Sequence, residues 1–249
     1  RISTVAEFAL LNSNSLLLDK HLRLTADLDM TGITVHPVGD FGIFTGVFNG
    51  AGHVLRNVVI QQDNSNCVGI FKYLGEGGII SNVGIEDALV SGSKTVGALV
   101  GWNNGGTLAK CYIIGTVSGS SEVGGLVGWN DAGTLTGCYA MGTVSGNGRV
   151  GGLVGQNYDG GMLQECFATC SVTSSGTSGG LLGINYNASV ESCYATGAVS
   201  GSGWAVGGLV GGGSQSKVTS CYATGAVSSG TTDYIGGLVG NNEYLGEVT

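Results

Sequence analysis

Residues 123–146 read VGGLVGWNDAGTLTGCYAMGTVSG, and the same phrase returns along the chain at a nearly fixed step. Its opening recurs as VGALVG from Val96, VGGLVG from Val123 and Val150, SGGLLG from Ser178, VGGLVG from Val206 and IGGLVG from Ile235. The first glycines, Gly97, Gly124, Gly151, Gly179, Gly207 and Gly236, are separated by 27, 27, 28, 28 and 29 residues. A second marker, cysteine before an aromatic residue, falls at Cys111, Cys138, Cys166, Cys193 and Cys221, with steps of 27, 28, 27 and 28. Degenerate copies begin at Cys67 and Phe44, making about eight units. A chain that repeats itself at this pitch grows in one dimension, each unit contacting only its neighbours.

Within a unit the apolar pieces GGLVG, TLTGCYA and TVSG are short, strand-like and separated by Gly, Asn, Asp or Ser, and helical periodicity is absent. Three short strands and three corners in about 27 residues predict one turn of a right-handed parallel β-solenoid (β-helix). Successive turns would stack about 4.8 Å apart, so that equivalent residues form ladders. Leu99, Leu126, Leu153, Leu181, Leu209 and Leu238 would line one side of the core, and Val117, Val144, Val172, Val199 and Val227 another. At roughly 1.5–3 kcal/mol per buried aliphatic side chain, these rows supply what a single turn lacks.

Composition agrees with an ordered all-β body. The 249 residues include 49 Gly and one Pro, yet 42% are hydrophobic and 10% charged, which is too aliphatic for a disordered Gly-rich chain. A net charge of -8, with nine unclustered Lys and Arg, argues against a nucleic-acid partner and leaves basic partners or divalent cations open. No apolar run approaches the 18 residues of a membrane span.

The first segment differs. In STVAEFALLN, residues 3–12, Val5, Phe8, Ala9 and Leu11 or Asn12 follow helical spacing, with Ser3 or Thr4 as cap and Glu7 in the first turn. A short helix there would cover the open edge of the first coil. Residues 1–66 are therefore read as cap and irregular first coils, and 67–249 as the regular repeats, ending in mid-coil. A C-terminal coil without a cap makes self-association, end to end, one expected partner mode; a cell-surface glycan or protein is another.

Each candidate for chemistry has a plain structural reading beside it. Stacked cysteines would have parallel Cβ vectors farther apart than a disulfide prefers, so Cys111, Cys138, Cys166, Cys193 and Cys221 are expected as a reduced core ladder, with Cys67 and Cys170 off it. No CxxC or HExxH occurs, and neither a metal nor a cofactor is expected. The acids Glu122, Asp131, Asp159, Glu165, Glu191 and Asp233 fall at differing phases of the repeat, unlike the paired carboxylates that glycoside hydrolysis requires. Trp102 and Trp129 hold equivalent positions in adjacent units, with Tyr158 and Tyr186 one corner position further on, and these four are the candidate binding residues. Asn103, Asn130, Asn157 and Asn185 form a ladder, continued at Asn242 after Gly213, whose amides suit corner backbone groups. Tyr112, Tyr139, Phe167, Tyr194 and Tyr222 form an aromatic ladder, and Ser118, Ser145, Thr173, Ser200 and Ser228 a hydroxyl row.

The GGLVG core followed by CYATGxVSG resembles the GLUG repeat of large bacterial surface proteins, which include some IgA-specific metallopeptidases, over roughly residues 68–249. The resemblance implies an extracellular or cell-surface β-solenoid and no particular activity. The expected function is a non-enzymatic structural or adhesive element, such as a stalk, adhesin or filament subunit. A polysaccharide-processing β-helix enzyme is the alternative.

Overall fold

The computed structural model describes residues 1–40, 42–230, 233–243 and 246–249. Among the described residues four parallel sheets run along the stack, two from its first coils and two beginning at Cys67–Val68 and Phe71–Leu74, and each regular coil contributes a strand to each. In one regular coil the strands are Glu122–Gly124, Val127–Asp131, Thr134–Thr136 and Tyr139–Gly146. They are called here the first to fourth strands. The third sheet holds nine strands, from His21–Arg23 to Glu247–Val248. Register is strict: Val96 pairs with Val123 and Val123 with Val150, while Leu108 pairs with Leu135 and Leu135 with Leu163.

The coil has four strands rather than the three expected. GGLVG is not a strand but a bend joining the first strand to the second, and the chain turns at Gly125 and Leu126. Because of that turn Leu126 and Val127, although adjacent, are both fully buried, which a straight strand forbids. Glycine is required at Gly124, where a Cβ would meet the Val127 carbonyl, whereas the next position, Gly125, is filled by the buried Ala98 one coil earlier.

The core is one column of aliphatic rows. Leu99, Leu126, Leu153, Leu181 and Leu209 are wholly inaccessible, and Leu238 in the last coil is half-buried. Val117, Val144, Val172 and Val199 are buried behind the fourth sheet, and Val227 is again half-buried.

The N-terminal helix, Val5–Ser13, plugs the first coil. Thr4 is its N-cap: the Glu7 amide donates to Thr4 Oγ1 (3.2 Å), and Glu7 Oε2 accepts from the backbone amides of Ser3 (2.7 Å) and Thr4 (3.2 Å). Phe8 and Leu11 face inward, whereas Ala9, expected on the same face, is exposed. Phe8 meets Phe48 edge-on at 6.2 Å, and Phe48 meets Phe71 at 5.3 Å, so aromatic packing ties helix to column. Among the described residues no helix is long and apolar enough to cross a membrane.

Candidate functional site

The corner between the second and third strands is built on asparagine. Asn103, Asn130, Asn157 and Asn185 are fully buried. Each side-chain amide closes its own corner, donating to the carbonyls of Gly106 (3.0 Å), Gly133 (2.8 Å), Gly161 (3.2 Å) and Ala188 (3.2 Å). The first three also join the next coil: Asn103 Nδ2 donates to Asn130 Oδ1 (2.7 Å), Asn130 to Asn157 (2.7 Å) and Asn157 to Asn185 (2.8 Å). Each of these corner carbonyls also accepts a ladder bond, from the backbone amides of Thr134, Met162, Ser189 and Lys217 at 2.9–3.0 Å, so the chain of amides adds a second donor at every corner. Just beyond, the backbone is left-handed, with φ of 78° at Gly105, 52° at Ala132, 42° at Asp159 and 46° at Asn187.

This clamp directs the neighbouring side chains outward. Trp102 and Trp129 stack at 4.9 Å with planes 7° apart, and Tyr158 and Tyr186 stack at 4.9 Å and 13°. Trp129 joins the two pairs through an edge contact to Tyr158 at 6.2 Å, and Tyr73 extends the row by a similar contact to Trp102. The result is one row of five half-buried rings. Tyr73 lies in a degenerate coil with no tryptophan phrase to flag it, and only its register with Trp102 reveals it. Ring faces in the row are turned toward neighbouring rings, so the row shows solvent mainly edges.

Apolar surface opens at the Tyr73 end. Ile43, Tyr73, Leu74, Trp102 and Asn104 line a groove of about 240 Å³. Ile43 and Asn104 also border an adjacent cleft of about 550 Å³ that Thr45, Glu76 and Gly105 help line. Beside its middle, at Asp131 and Asp159 in the coils of Trp129 and Tyr158, the row is acidic. Asp131 is held above the usual carboxylate range by burial and then by the Asp159 charge, while Asp159 accepts from Asn187 Nδ2 at 3.0 Å. Trp204, not singled out from sequence, is the most exposed indole at 47%. It lies near Gly212, whose register with Ile184 continues the Trp102, Trp129 and Gln156 position.

The cysteines lie inside. Cys111, Cys138, Cys166 and Cys193 are fully buried, Cys221 is half-buried, and all seven thiols are free. The backbone amides of Cys138, Cys166 and Cys193 donate to the sulfur one coil on at 3.3–3.4 Å. Off the ladder, Cys67 Sγ donates to the Lys72 carbonyl (3.0 Å) and Cys170 Sγ to the Gly152 carbonyl (3.4 Å), and burial pushes both thiols up to about 12. Among the described residues no three His, Cys, Asp or Glu side chains converge as metal ligands would.

On the fourth sheet the rings of Tyr112, Tyr139, Phe167, Tyr194 and Tyr222 stack at 4.7–5.0 Å with planes within 5°. The residue before each ladder cysteine is a left-handed corner whatever its type: Lys110, Gly137, Glu165, Ser192 and Ser220 have φ between 53° and 61°.

The chain is 34% identical over 129 residues to halomucin of Haloquadratum walsbyi and 33% identical over 95 residues to a Gly-rich membrane protein of Evansella cellulosilytica. These alignments take in 47% and 34% of the chain but only 1% and 11% of the relatives. A Bacteroides ovatus crystal structure, described with a suggested immunoglobulin A1 protease identity, superposes on 98% of the chain with a TM-score of 0.79 at 23% identity, over 83% of its own length. A structure of an IgA1 protease superposes on 96% of the chain with a TM-score of 0.68 at 16% identity, over 20% of its length. At such identities these two likenesses speak for the fold alone. The GLUG motif matches residues 119–145, 146–173, 174–200 and 202–228, each close to one pass around the stack. The chain carries four GLUG repeats within residues 119–228, and these repeats and its coils are one periodicity seen in sequence and in space.

Proposed function

We propose that this chain is a non-enzymatic element of a cell surface, a stiff solenoid that spaces and presents adhesive contacts. The observation that carries the reading is the unbroken parallel register of the third sheet through nine strands over a single buried column. A body held by backbone ladders along its whole length resists bending and offers the same corner at every level. Similarity to halomucin and to a Gly-rich membrane protein supports the surface placement. The adhesive contacts are assigned to the ring row of Trp102, Trp129, Tyr158 and Tyr186, with the groove beside Tyr73 as its apolar pocket.

The test is retention without turnover. Immobilised protein is expected to capture surface glycans or glycoproteins, and Trp102→Ala with Trp129→Ala to reduce capture while the circular dichroism spectrum is kept. Release of reducing ends or unsaturated sugars from a polysaccharide panel would instead establish the β-helix enzyme reading.

A further inference from the structure

The outward face of the fourth sheet is unlike the other three. In the coils from Tyr112 to Ser228, alternate residues point to solvent and the intervening Ile113, Ala140, Ala168 and Ala195 are buried. The outward positions form four rows parallel to the stack axis. The first is the stack of five rings already described. The second runs Ile114, Met141, Thr169, Thr196 and Thr224; the third begins Thr116, Thr143 and Ser171; the fourth is the serine and threonine row from Ser118 to Ser228.

No position in these rows is charged, in a chain of net charge -8. The other faces are interrupted by charge: Glu122 with Arg149 on the first sheet, Asp131 on the second, Glu191 and Lys217 on the third. On the fourth sheet itself charge is confined to the strands before Tyr112, at Asp29, Arg56, Glu86 and the exposed Asp87; Glu86 accepts from the Tyr112 hydroxyl at 2.8 Å and pairs with Arg56. At the far edge of the face a groove of about 410 Å³ runs along the axis, bordered by Ser145, Asn147, Thr173, Ser175 and Ser202.

We propose that this face binds an uncharged, hydroxyl-rich polymer laid along the solenoid axis, an extended neutral polysaccharide. Three properties select that partner. Without a cation the face has nothing to pair with a polyanion, and without an anion nothing to pair with a basic peptide. Its extent is roughly 20 Å by 20 Å from strand and residue spacing, about 400 Å². A stable protein partner covers about 800 Å² on each side, so pairing with a second copy through this face alone falls short. Finally, ring edges and hydroxyls return at every coil. One such hydrogen bond gains little against water, but a polymer repeats its own contact along the same direction and gathers many at once.

This inference deepens the adhesive reading and rests on it, and it is tested on a different face from the tryptophan row. Cello-oligosaccharides and chito-oligosaccharides of two to eight units are titrated against the whole chain by calorimetry. Affinity is expected to rise about tenfold or more from trimer to hexamer as successive coils engage, then level off once the five coils are spanned. Thr143→Lys and Thr196→Lys, both exposed, are expected to reduce hexamer affinity at least about tenfold by crowding the face with cations that have no partner, with the melting temperature unchanged. Thr143→Val tests the hydroxyl without adding charge and is expected to weaken binding by a smaller factor. No binding of either series at millimolar concentration overturns the inference. So does binding that the Lys variants leave intact but Trp102→Ala with Trp129→Ala abolishes, an outcome that keeps the adhesive reading. Concentration-dependent dimers dispersed by the Lys variants would overturn it in favour of self-pairing. Cleavage of the oligosaccharides would overturn the non-enzymatic reading and leave the face as the binding surface.

Discussion

Asn130→Ala removes the centre of the amide chain. Asn130 is fully buried, accepts from Asn103 and donates to Asn157 and to the Gly133 carbonyl. After truncation Asn103 keeps its bond to Gly106, so the donor side loses little. The Gly133 carbonyl keeps its bond from the Met162 amide (2.9 Å), but Asn157 Oδ1 loses its donor, and stranding a buried acceptor costs about 1–3 kcal/mol. With the small void left behind, the expected loss is about 2–4 kcal/mol. At roughly 2–4 °C per kcal/mol for a chain of this size, the melting temperature falls by about 4–16 °C. Urea unfolding followed by both circular dichroism and tryptophan fluorescence checks this, because Trp129 adjoins the mutated residue and coincident transitions would show that the column still unfolds as one unit. Exposed Asn104→Ala is the control, expected within about 0.5 kcal/mol of wild type. If Asn130→Ala falls within about 1 kcal/mol of that control, the amide chain does not clamp the corners and the ladder bonds alone hold them.

Four further outcomes follow from the backbone, the thiols and Asp131. Ser192→Gly, at φ 53°, should raise stability by about 0.5–1 kcal/mol, because relief of left-handed strain exceeds the added chain entropy. Gly142→Ala, where φ is 116° and a Cβ would meet the Gly115 carbonyl, should cost more than about 2 kcal/mol; paired denaturation curves decide both. A thiol reagent at pH 8 should find almost nothing in the folded protein and seven groups after unfolding, since burial raises Cys67 and Cys170 to about 12 and the neighbouring thiol of Cys166 raises Cys193 similarly; rapid native labelling at Cys138 would contradict the stack. The Asp131 carboxyl is raised in the folded state, so ionisation opposes folding and its stability contribution is lost as pH rises through the folded value. Asp131→Asn should therefore melt higher at pH 7, with the gain vanishing below about pH 4, as read from melting temperature against pH.

Much of this architecture was legible because repetition turns sequence spacing into spatial neighbourhood. The steps between glycines and between cysteines put Trp102 beside Trp129 and Tyr158 beside Tyr186, and the capping pair Thr4 and Glu7 marked the helix. What stayed hidden involves conformation within a unit. Leu126 and Val127 read as one strand because apolar pattern does not distinguish a buried strand from a buried bend. The left-handed corners at Lys110, Glu165 and Ser192 carry no glycine, since one strained residue is tolerated where both flanking strands are locked. Adjacency of the rings could be read, but not that neighbouring rings would take up their faces, which depends on side-chain direction at the corner. Trp204 escaped notice because its corner had lengthened: Val150 follows Gly146 by four residues, whereas Val206 follows Gly201 by five.

The asparagine corners do not all enclose the same length of chain. Asn103 reaches over three residues to Gly106, and Asn157 reaches over four to Gly161, yet Leu135 and Leu163 on the following strands remain in register. The amide therefore works as a clasp that takes up slack: an added residue bulges outside it while the strands beyond keep their places. Corners of this kind are where such a column can acquire or lose loops over time, changing what it touches without renegotiating how it is wound.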